Sequence, residues 1–477
     1  MLFNSIEYMI FLAATAAAYF LMPQRWRVGF LLAASYFFYM ALGWRYALLI
    51  AAQTLISYGG GRYLEWESRR TRKLWCLVLT VSACLGMLLY YKYSNFFLSS
   101  LGRTFTALGI SVTIPHLQVL LPLGISFYSF RTLSYVFDVY RGVIPAETRL
   151  ANYALYVAFF PELLAGPIER AGNLLPQFDR RNSFDIVRVA EGGKLIVWGL
   201  FKKVVIADRL AVYVDRVYDH PDLYSGSTLL LATYFFAFQI YCDFSGYSDI
   251  AIGSARLLGY DLMQNFRIPY SATSFSDFWQ RWHISLSSWF RDYVYIPLGG
   301  NRVSPARWFL NIAVVFVLSG LWHGANWTFL IWGGLHACYY LGEHVCRHCA
   351  RGIPFLKVVP ARVLRPLQIL VVFHLVLLGW VFFRADSISQ AGMILARIFA
   401  GVGMSPYLGP SQFTTFLSIL LIGALLLLQY GQASGILSLH FSRTRVPLPF
   451  RFAGYAALIL AIELLAVPTN RFIYLQF

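Results

Sequence analysis

Residues 308–332 read WFLNIAVVFVLSGLWHGANWTFLIW. Two strongly apolar runs flank the short stretch LWHGANW at residues 321–327. Both runs have the composition of membrane-spanning helices, each of which needs about 20 mostly apolar residues. His323 is therefore predicted to lie at membrane depth, where a titratable side chain is costly and indicates a functional site. Because histidine exchanges protons near neutral pH, His323 is a candidate general base.

The composition of the whole chain is that of an all-α polytopic membrane protein. Apolar residues make up 58% and charged residues 13% of the chain, and the mean hydropathy is +0.58. Soluble domains carry about 25% charged residues. No basic residue precedes the first apolar run and further runs follow, so we expect this run to stay in the protein rather than be cleaved. Roughly eleven stretches are candidate spans, namely residues 6–22, 28–43, 47–59, 74–91, 120–139, 193–212, 228–252, 308–319, 366–383, 413–428 and 452–465.

The net charge of +17 does not indicate a nucleic-acid partner. Nucleic-acid binders carry their basic residues on a solvated domain, and we predict no such domain here. The basic residues lie in short segments at 24–27, 62–73, 347–351 and 443–451. The positive-inside rule assigns such loops to the cytoplasm, which predicts an N-terminus outside.

We predict a single membrane domain that extends over residues 1–477, with a catalytic core at approximately residues 120–335. This middle part mixes apolar runs with Pro, Gly, Asp, Arg and His. Irregular backbone and polar groups at membrane depth are tolerated only where they are buried in protein or line a cavity. The core is therefore expected to hold a cavity.

The six cysteines do not form a disulfide framework. The close pair Cys346 and Cys349, with His344 and His348, has the spacing of metal ligands. Alternatively, this is a juxtamembrane loop whose cysteines are S-acylated. Because a second ligand pair is missing from the sequence pattern, we expect no metal.

Residues 241–249, YCDFSGYSD, interrupt a long apolar run with two carboxylates. Ser245-Gly246 is a natural place for the span to break. Asp249 is predicted to pair with Arg256, which lies on the same helix face. Asp243 and Asp249 either tie helices together as buried ion pairs or take part in function, and the sequence favours neither.

Residues 276–290, SDFWQRWHISLSSWF, have helical periodicity and place Trp279, Trp282 and His283 on one face. Such a helix suits the membrane interface or a re-entrant cavity wall. His283 is either a structural histidine or part of a site. Residues 291–302 then offer glycines that permit close approach of a ligand, with Arg291 and Arg302 as candidate phosphate ligands. The alternative is a plain turn at a basic cytoplasmic surface.

Two further features belong to the predicted core and its surroundings. Residues 160–170, FPELLAGPIER, are typical of a broken helix that bends into a cavity wall. His336 and His374 lie in apolar segments and are interpreted as packing residues with one hydrogen bond each.

Motifs along nearly the whole chain resemble those of the membrane-bound O-acyltransferase family, in particular its bacterial alginate O-acetyltransferase type. The most specific is FWQRWH at residues 278–283, followed by WHG at 322–324. The others are MLFNS at 1–5, LPLGISFY at 121–128, DVYRG at 138–142, AGPI at 165–168, DFSGYSD at 243–249, YIPLGG at 295–300, WVFFRA at 380–385 and FIY at 472–474. The chain departs from the family at Arg131, where relatives usually carry glutamine.

The resemblance implies a ring of roughly eleven tilted helices with re-entrant or interfacial helices around a central tunnel. It implies that the family's invariant histidine is His323 and that its second frequent histidine is His283. It also implies acetyl-CoA as the acyl donor, a location in the bacterial cytoplasmic (inner) membrane, and an extracytoplasmic SGNH-like partner that completes transfer to a polysaccharide. Alginate is the best-known acceptor, and other branches serve other polymers.

The combined interpretation is acetyl transfer from cytoplasmic acetyl-CoA, across the membrane, for O-acetylation of an alginate-like exopolysaccharide. The phosphates of the donor are expected near Arg281, Arg291 or Arg302, with Trp282 beside them. His323 is the expected general base, His283 is expected to orient the donor or polarise its carbonyl, and Asn326 is expected to help fix the His323 tautomer. Two rival functions remain open at this point, a lipid or protein O-acyltransferase and a small-molecule transporter.

Overall fold

The structure of the protein is a computed structural model, which describes residues 1–41, 43–164, 166–350, 360–401, 405–409, 411–434, 447–467 and 473. All regular secondary structure in these residues is helical, without a strand. The predicted all-α class is therefore confirmed for this part of the chain. Some predictions concern residues outside the described part of the chain, namely Ala165, Arg351, the basic segment 443–446 and residues 472 and 474.

Residues 1–193 and 251–263 form one compact unit. In its interior, Arg131 donates a hydrogen bond to the Glu162 carboxylate at 2.5 Å and another to the carbonyl of Val157 at 2.6 Å. The predicted broken helix at 160–170 is confirmed, because only one helical turn forms there before the chain opens. The helices are α1 (Ile6–Leu21), α2 (Gln24–Met40), α3 (Trp44–Trp66), α4 (Arg70–Leu88), α5 (Ser94–Ala107), α6 (Ile125–Tyr140), α7 (Leu150–Ala158), α8 (Phe160–Leu163) and α9 (Ala171–Phe178), with a π-helical turn at Leu89–Tyr93.

Residues 194–250 and 264–477 form the second unit, again as far as they are described. Two of its helices, α10 and α12, contribute residues to both units. Its elements are α10 (Ile186–Leu200), a π-helix (Phe201–Ala207), α11 (Asp208–Asp219), α12 (Gly226–Leu257), α13 (Phe275–Trp279), α14 (Ile284–Phe290), a π-helix (Arg291–Tyr295), α15 (Pro305–His323), α16 (Trp327–Ala350), α17 (Ala361–Arg384), α18 (Ile388–Ala400), α19 (Gln412–Ala433) and α20 (Leu448–Leu465). Short 3₁₀ helices lie at Pro221–Leu223 and Pro269–Ser271.

Helices α15 and α16 form a tightly packed antiparallel hairpin. Two glycines bring their backbones together: a Cβ on Gly320 would lie 2.2 Å from the carbonyl oxygen of Phe329, and one on Gly333 would lie 2.3 Å from that of Phe316. Small residues at helix crossings are typical of membrane proteins, where close backbone contact replaces the hydrophobic driving force. His323 is the last residue of α15 and therefore lies at the tip of this hairpin.

Among the described residues, five helical segments are long and apolar enough to cross a membrane. They are Arg70–Ala107, Gly226–Leu257, Pro305–His323, Arg362–Arg384 and Gln412–Ala433, and shorter apolar helices lie at Ile6–Leu21, Ile388–Ala400 and Phe452–Leu465. Each predicted span falls largely on a helix, and the apolar run downstream of residue 327 lies on α16. The shorter apolar helix α18 was not among the predicted spans.

Two predictions of local structure are wrong. Helix α12 continues through Ser245-Gly246 without a break. Gly246 permits close packing instead, because a Cβ there would lie 2.8 Å from the carbonyl oxygen of Gly199. Residues 276–290 are two short helices, α13 and α14, rather than one. The chain turns at residues 280–283, and His283 has a left-handed backbone with φ of 44°.

Candidate active site

His283 is held in an unusual backbone conformation by Asn265. A left-handed conformation is uncommon for residues other than glycine, and such strain persists only where surrounding contacts enforce it. The carbonyl of Asn265 accepts a hydrogen bond from the backbone N–H of Ile284 at 2.9 Å. Its side-chain Oδ1 accepts from the N–H of Ser285 at 3.3 Å and from its hydroxyl at 2.9 Å. These contacts fix the start of α14 and, with it, the orientation of His283.

The same network determines the tautomer of His283. The Nδ1 atom of His283 lies 3.1 Å from Oδ1 of Asn265. That oxygen is an acceptor, because the amide Nδ2 of Asn265 donates to the hydroxyl of Ser248 at 3.2 Å. Nδ1 of a neutral His283 is therefore the donor, and Nε2 carries the lone pair. In this form Nε2 of His283 can accept a hydrogen bond and orient a reactant, whereas polarisation of a carbonyl would require a proton on Nε2. Both roles stay predictions.

His323 lies beside His283 in an aromatic environment. The two imidazole centroids are 6.1 Å apart, and the exposed fractions of His283 and His323 are 0% and 2%. The ring of His323 contacts those of Trp322 and Trp332, each at a centroid distance of 5.0 Å, and that of Phe383 at 5.5 Å. Two histidines distant in sequence thus meet in one buried, largely apolar environment.

A cavity of about 320 Å³ opens next to His283. Its lining includes Ile284, which follows His283 directly, and Arg291. The Nε atom of Arg291 donates to the Asp292 carboxylate at 2.7 Å, and this hydrogen bond raises the pKa of the guanidinium. A second cavity, of about 400 Å³, shares the lining residues Tyr295 and Tyr340 with the first. The two cavities are therefore neighbours.

A third cavity, of about 480 Å³, opens next to the tip of the α15–α16 hairpin. Its lining includes Ala325, Asn326 and Phe329, which follow His323 closely in sequence. Acidic side chains outnumber basic ones around it: Asp208, Asp215, Asp243 and Asp386 against Lys203 and Arg384. Each histidine is therefore close in sequence to residues that line a cavity, and the two cavities differ in the charge of their linings.

Two buried lysines of the π-helix Phe201–Ala207 pair with aspartates, and one of them, Lys203, neutralises part of this acidic lining. Nζ of Lys203 lies 2.7 Å from a carboxylate oxygen of Asp208 and 2.7 Å from one of Asp243. Nζ of Lys202 lies 2.8 Å from Asp249, so the predicted pairing of Asp249 with Arg256 is wrong. Arg256 pairs instead with Glu191 and Asp261, each at 3.7 Å.

The other predicted site residues occupy separate positions. Asn326 donates to the carbonyl of Asp386 at 3.0 Å, and its Oδ1 accepts from the N–H of Thr328 at 3.2 Å. Its amide thus fixes the hairpin turn, and the prediction that it sets the His323 tautomer is not supported by these contacts. Trp282 is fully buried. Arg281 pairs with Asp277 at 2.6 Å beside a smaller cavity of about 240 Å³, and Arg302 is exposed.

Sequence reasoning missed Asn265, Lys202 and Lys203. The lysine pair stands inside an apolar run, and this is the signal that could have indicated buried charge partners for the aspartates. Asn265 gave no such signal, because its function depends on contacts with residues 17 to 20 positions away.

The histidine–cysteine cluster lies on the last turns of α16, and its four side chains are exposed. In the part of the chain that the structure describes, no group of three or more His, Cys, Asp or Glu residues is arranged to hold a metal ion.

The two other histidines, His336 and His374, also differ from their interpretation as packing residues with one hydrogen bond. His374 is exposed and bonds both Tyr234 at 2.6 Å and the carbonyl of Leu370 at 2.7 Å. His336 is buried, and neither ring nitrogen has a partner among the described residues.

Comparison with known proteins identifies the family of the chain. A model of the membrane-bound O-acyltransferase family matches residues 143–383, which include both histidines. The chain is 40% identical to the probable alginate O-acetylase AlgI of Azotobacter vinelandii over 437 residues, or 90% of this chain and 85% of that protein. It is 35% identical to the peptidoglycan O-acetyltransferase of Helicobacter pylori over 360 residues, or 70% and 66%. It is 28% identical to the teichoic acid D-alanyltransferase of Bacillus subtilis over 239 residues, or 46% and 59%. The chain therefore belongs to the membrane-bound O-acyltransferase family and is a multi-pass membrane acyltransferase.

Proposed function

We propose that the protein transfers an acetyl group from cytoplasmic acetyl-CoA, across the membrane, for O-acetylation of an extracytoplasmic polysaccharide. The observation that carries this proposal is the meeting of His283 and His323, whose ring centroids are 6.1 Å apart and whose neighbours in sequence line two cavities of different charge. The names of the relatives, among them alginate O-acetylases and a peptidoglycan O-acetyltransferase, support acetyl as the acyl group.

The orientation in the membrane follows from the charges at the two ends of the α15–α16–α17 group. Antiparallel packing puts the start of α15, the end of α16 and the start of α17 at one end, which carries Arg307, Arg347, Arg362 and Arg365. The positive-inside rule assigns this end to the cytoplasm. The recess beside Arg291 is then the donor side, and the acidic cavity faces outward. We retain the inner membrane as the location, with roughly eleven spans arranged as a ring in one domain, residues 1–477, whose core is residues 120–335.

The donor would lie in the recess beside Arg291. A guanidinium can form two parallel hydrogen bonds to a phosphate, which suits the diphosphate and ribose phosphate of the CoA moiety. Arg302 stands between Asn301 and Val303, which line the neighbouring recess, and Arg281 lies beside the smaller cavity with Arg365. Trp282, fully buried, would contribute aromatic wall to the path of the donor's arm.

His323 would act as general base. It takes the proton of the acceptor hydroxyl while the oxygen attacks the thioester carbonyl carbon, and the carbon–sulfur bond then breaks. The same proton passes to the departing CoA thiolate, so that His323 returns to its neutral form. General base catalysis of this kind typically contributes about 10² to 10⁴ in rate. His283, with its lone pair at Nε2, would orient the reactants, and Asn326 would hold the backbone that follows His323.

The charge of the outward cavity bears on the identity of the first acceptor. Its carboxylates outnumber its cations by four to two, which disfavours entry of a polyanion such as a polyuronate. An uncharged hydroxyl of an extracytoplasmic SGNH-like partner protein would meet no such repulsion. We therefore favour a route in which the acetyl group passes to the partner first and to the alginate-like polymer afterwards.

The decisive experiment compares His323→Ala with wild type, using purified protein in nanodiscs, acetyl-CoA with a labelled acetyl group, and the partner protein with the polysaccharide as acceptors. We expect the variant to insert normally and to lose nearly all transfer. His374→Ala, which alters an exposed histidine of α17, is the matched control and should retain transfer. Unchanged transfer by His323→Ala would remove His323 from the role of base.

The same labelled donor tests the rival acceptors. Label recovered in extracytoplasmic carbohydrate or in the partner protein agrees with the proposal. Label recovered in membrane lipid, or in protein without any passage to carbohydrate, would identify the chain as a lipid or protein O-acyltransferase instead.

A further inference from the structure

His336 is a third buried histidine, and packing alone does not explain it. It is fully buried on α16, yet neither Nδ1 nor Nε2 has a hydrogen-bond partner among the described residues. Buried polar groups in native proteins nearly always have a partner, so each exception calls for an explanation such as a ligand. The surroundings of His336 show that this is not an isolated case.

Four tryptophans that adjoin His336 or its neighbours share this property. The indole Nε1 atoms of all four are buried and have no hydrogen-bond partner within the described part of the chain. Buried tryptophan N–H groups usually find an acceptor. The four residues are Trp279, Trp282, Trp332 and Trp380.

These side chains form a continuous path between the donor recess and the proposed base. Trp279 lines the recess of about 320 Å³ that also contains Arg291. Its ring lies 5.0 Å from that of His336, which lies 4.8 Å from that of Trp332. Trp332 in turn lies 5.0 Å from His323, all between ring centroids. Contacts between these rings therefore connect the recess that contains Arg291 with the ring of His323.

Helix α17 presents a glycine to the same nitrogen atoms. A Cβ built on Gly379 would lie 3.3 Å from Nε2 of His336 and 3.7 Å from Nε1 of Trp332. Any larger residue would place carbon against both nitrogens. The glycine therefore puts no side chain of its own against either nitrogen.

We propose that His336 and the neighbouring tryptophans bind the amide-bearing arm of the thioester donor. This inference rests on the proposed function and deepens it. The acetyl group has a single carbonyl oxygen, which is too few for this set of N–H donors. An arm with two amides and a thioester supplies three carbonyl oxygens, and its amide N–H groups suit the acceptor nitrogen of a neutral imidazole. His336 is thus assigned as a positioning residue for the donor.

The test uses full-length protein in nanodiscs and two donors, acetyl-CoA and S-propyl thioacetate, which has no amide. His336→Phe keeps an aromatic ring and removes both nitrogens. We expect KM for acetyl-CoA to rise about tenfold, as for the loss of one hydrogen bond to a buried group, with kcat little changed. The kinetics with S-propyl thioacetate should stay at the wild-type level. His336→Gln, which retains a donor and an acceptor, should restore much of the loss, and His374→Phe is the matched control.

Each other result overturns the inference. An equal loss with both donors would indicate a structural role for His336, and an unchanged KM would indicate that the nitrogens bind water only. If His336→Phe fails to fold, Gly379→Ala carries the test, since its methyl group covers the same nitrogens and should raise KM for acetyl-CoA alone. A wild-type protein that transfers no acetyl from acetyl-CoA would refute the proposed function itself, which is a distinguishable outcome.

Discussion

Replacement of Lys203 by methionine should destabilise the protein strongly. The ammonium group of Lys203 is 1% exposed and lies 2.7 Å from carboxylate oxygens of both Asp208 and Asp243. Breaking one buried ion pair by removing one partner costs about 3–5 kcal/mol, because the remaining charge stays buried without compensation. Lys203 compensates two carboxylates, so the lower limit of about 3 kcal/mol is a conservative expectation.

The free energy of unfolding of Lys203→Met can be measured by denaturant titration in mixed micelles. Arg188→Met is the control, because Arg188 forms a more exposed pair with Asp261, and such pairs contribute about 0–1 kcal/mol. A triple variant, Lys203→Met with Asp208→Asn and Asp243→Asn, removes all three charges and should recover much of the loss. Equal stability of Lys203→Met and the control would refute the reasoning. Acetyl transfer by the recovered variant then decides whether the network is structural or functional.

Three further substitutions test other parts of the structure. Arg131→Gln introduces the residue usual in the family but leaves the carboxylate of Glu162, 0% exposed, without its ion pair, so the unfolding free energy should fall by about 3–5 kcal/mol in the same titration. Gly320→Val places side-chain carbon near a position only 2.2 Å from the carbonyl oxygen of Phe329, and size-exclusion profiles should show loss of folded protein, whereas Gly334→Val, with open space at its Cβ, should not. Arg291→Ala should weaken acetyl-CoA binding about tenfold, as for loss of one charge-assisted hydrogen bond; unchanged affinity in a binding titration would remove Arg291 from the donor site.

The helical class and most helix positions could be predicted because they depend on local composition. A run of apolar residues forms a helix in the membrane whatever surrounds it, since every backbone group must be satisfied within the segment. Where the predicted helix positions were wrong, the reason was a contact between segments that are distant in the sequence. Gly246 was interpreted as a break, but it permits the close approach of Gly199 on another helix. A sequence does not distinguish a glycine that ends a helix from one that packs against a neighbour.

The site could be predicted in part. His323 and His283 stood out through motif and membrane depth, and the structure brings them together. The left-handed backbone at His283 could not be predicted, because the periodicity of residues 276–290 fits one continuous helix. Asn265 enforces the turn through contacts formed only in the folded chain. The ion pair of Asp249 was predicted wrongly for the same reason. Arg256 was a plausible partner on the same helix, but Lys202 from a π-helix binds Asp249 in the folded chain.

The aromatic environment of His323 supports a short acyl group over a long one. Rings of Trp322, Trp332 and Phe383 lie within 5.0 to 5.5 Å of the imidazole centroid. A long acyl chain would need a continuous apolar channel beside the base, whereas an acetyl group needs room for little more than one methyl. The same rings exclude water from the thioester, which protects it from hydrolysis until the acceptor hydroxyl arrives. Trp332 contacts both His336 and His323, so the proposed site for the polar arm of the donor adjoins the proposed site for its acetyl group.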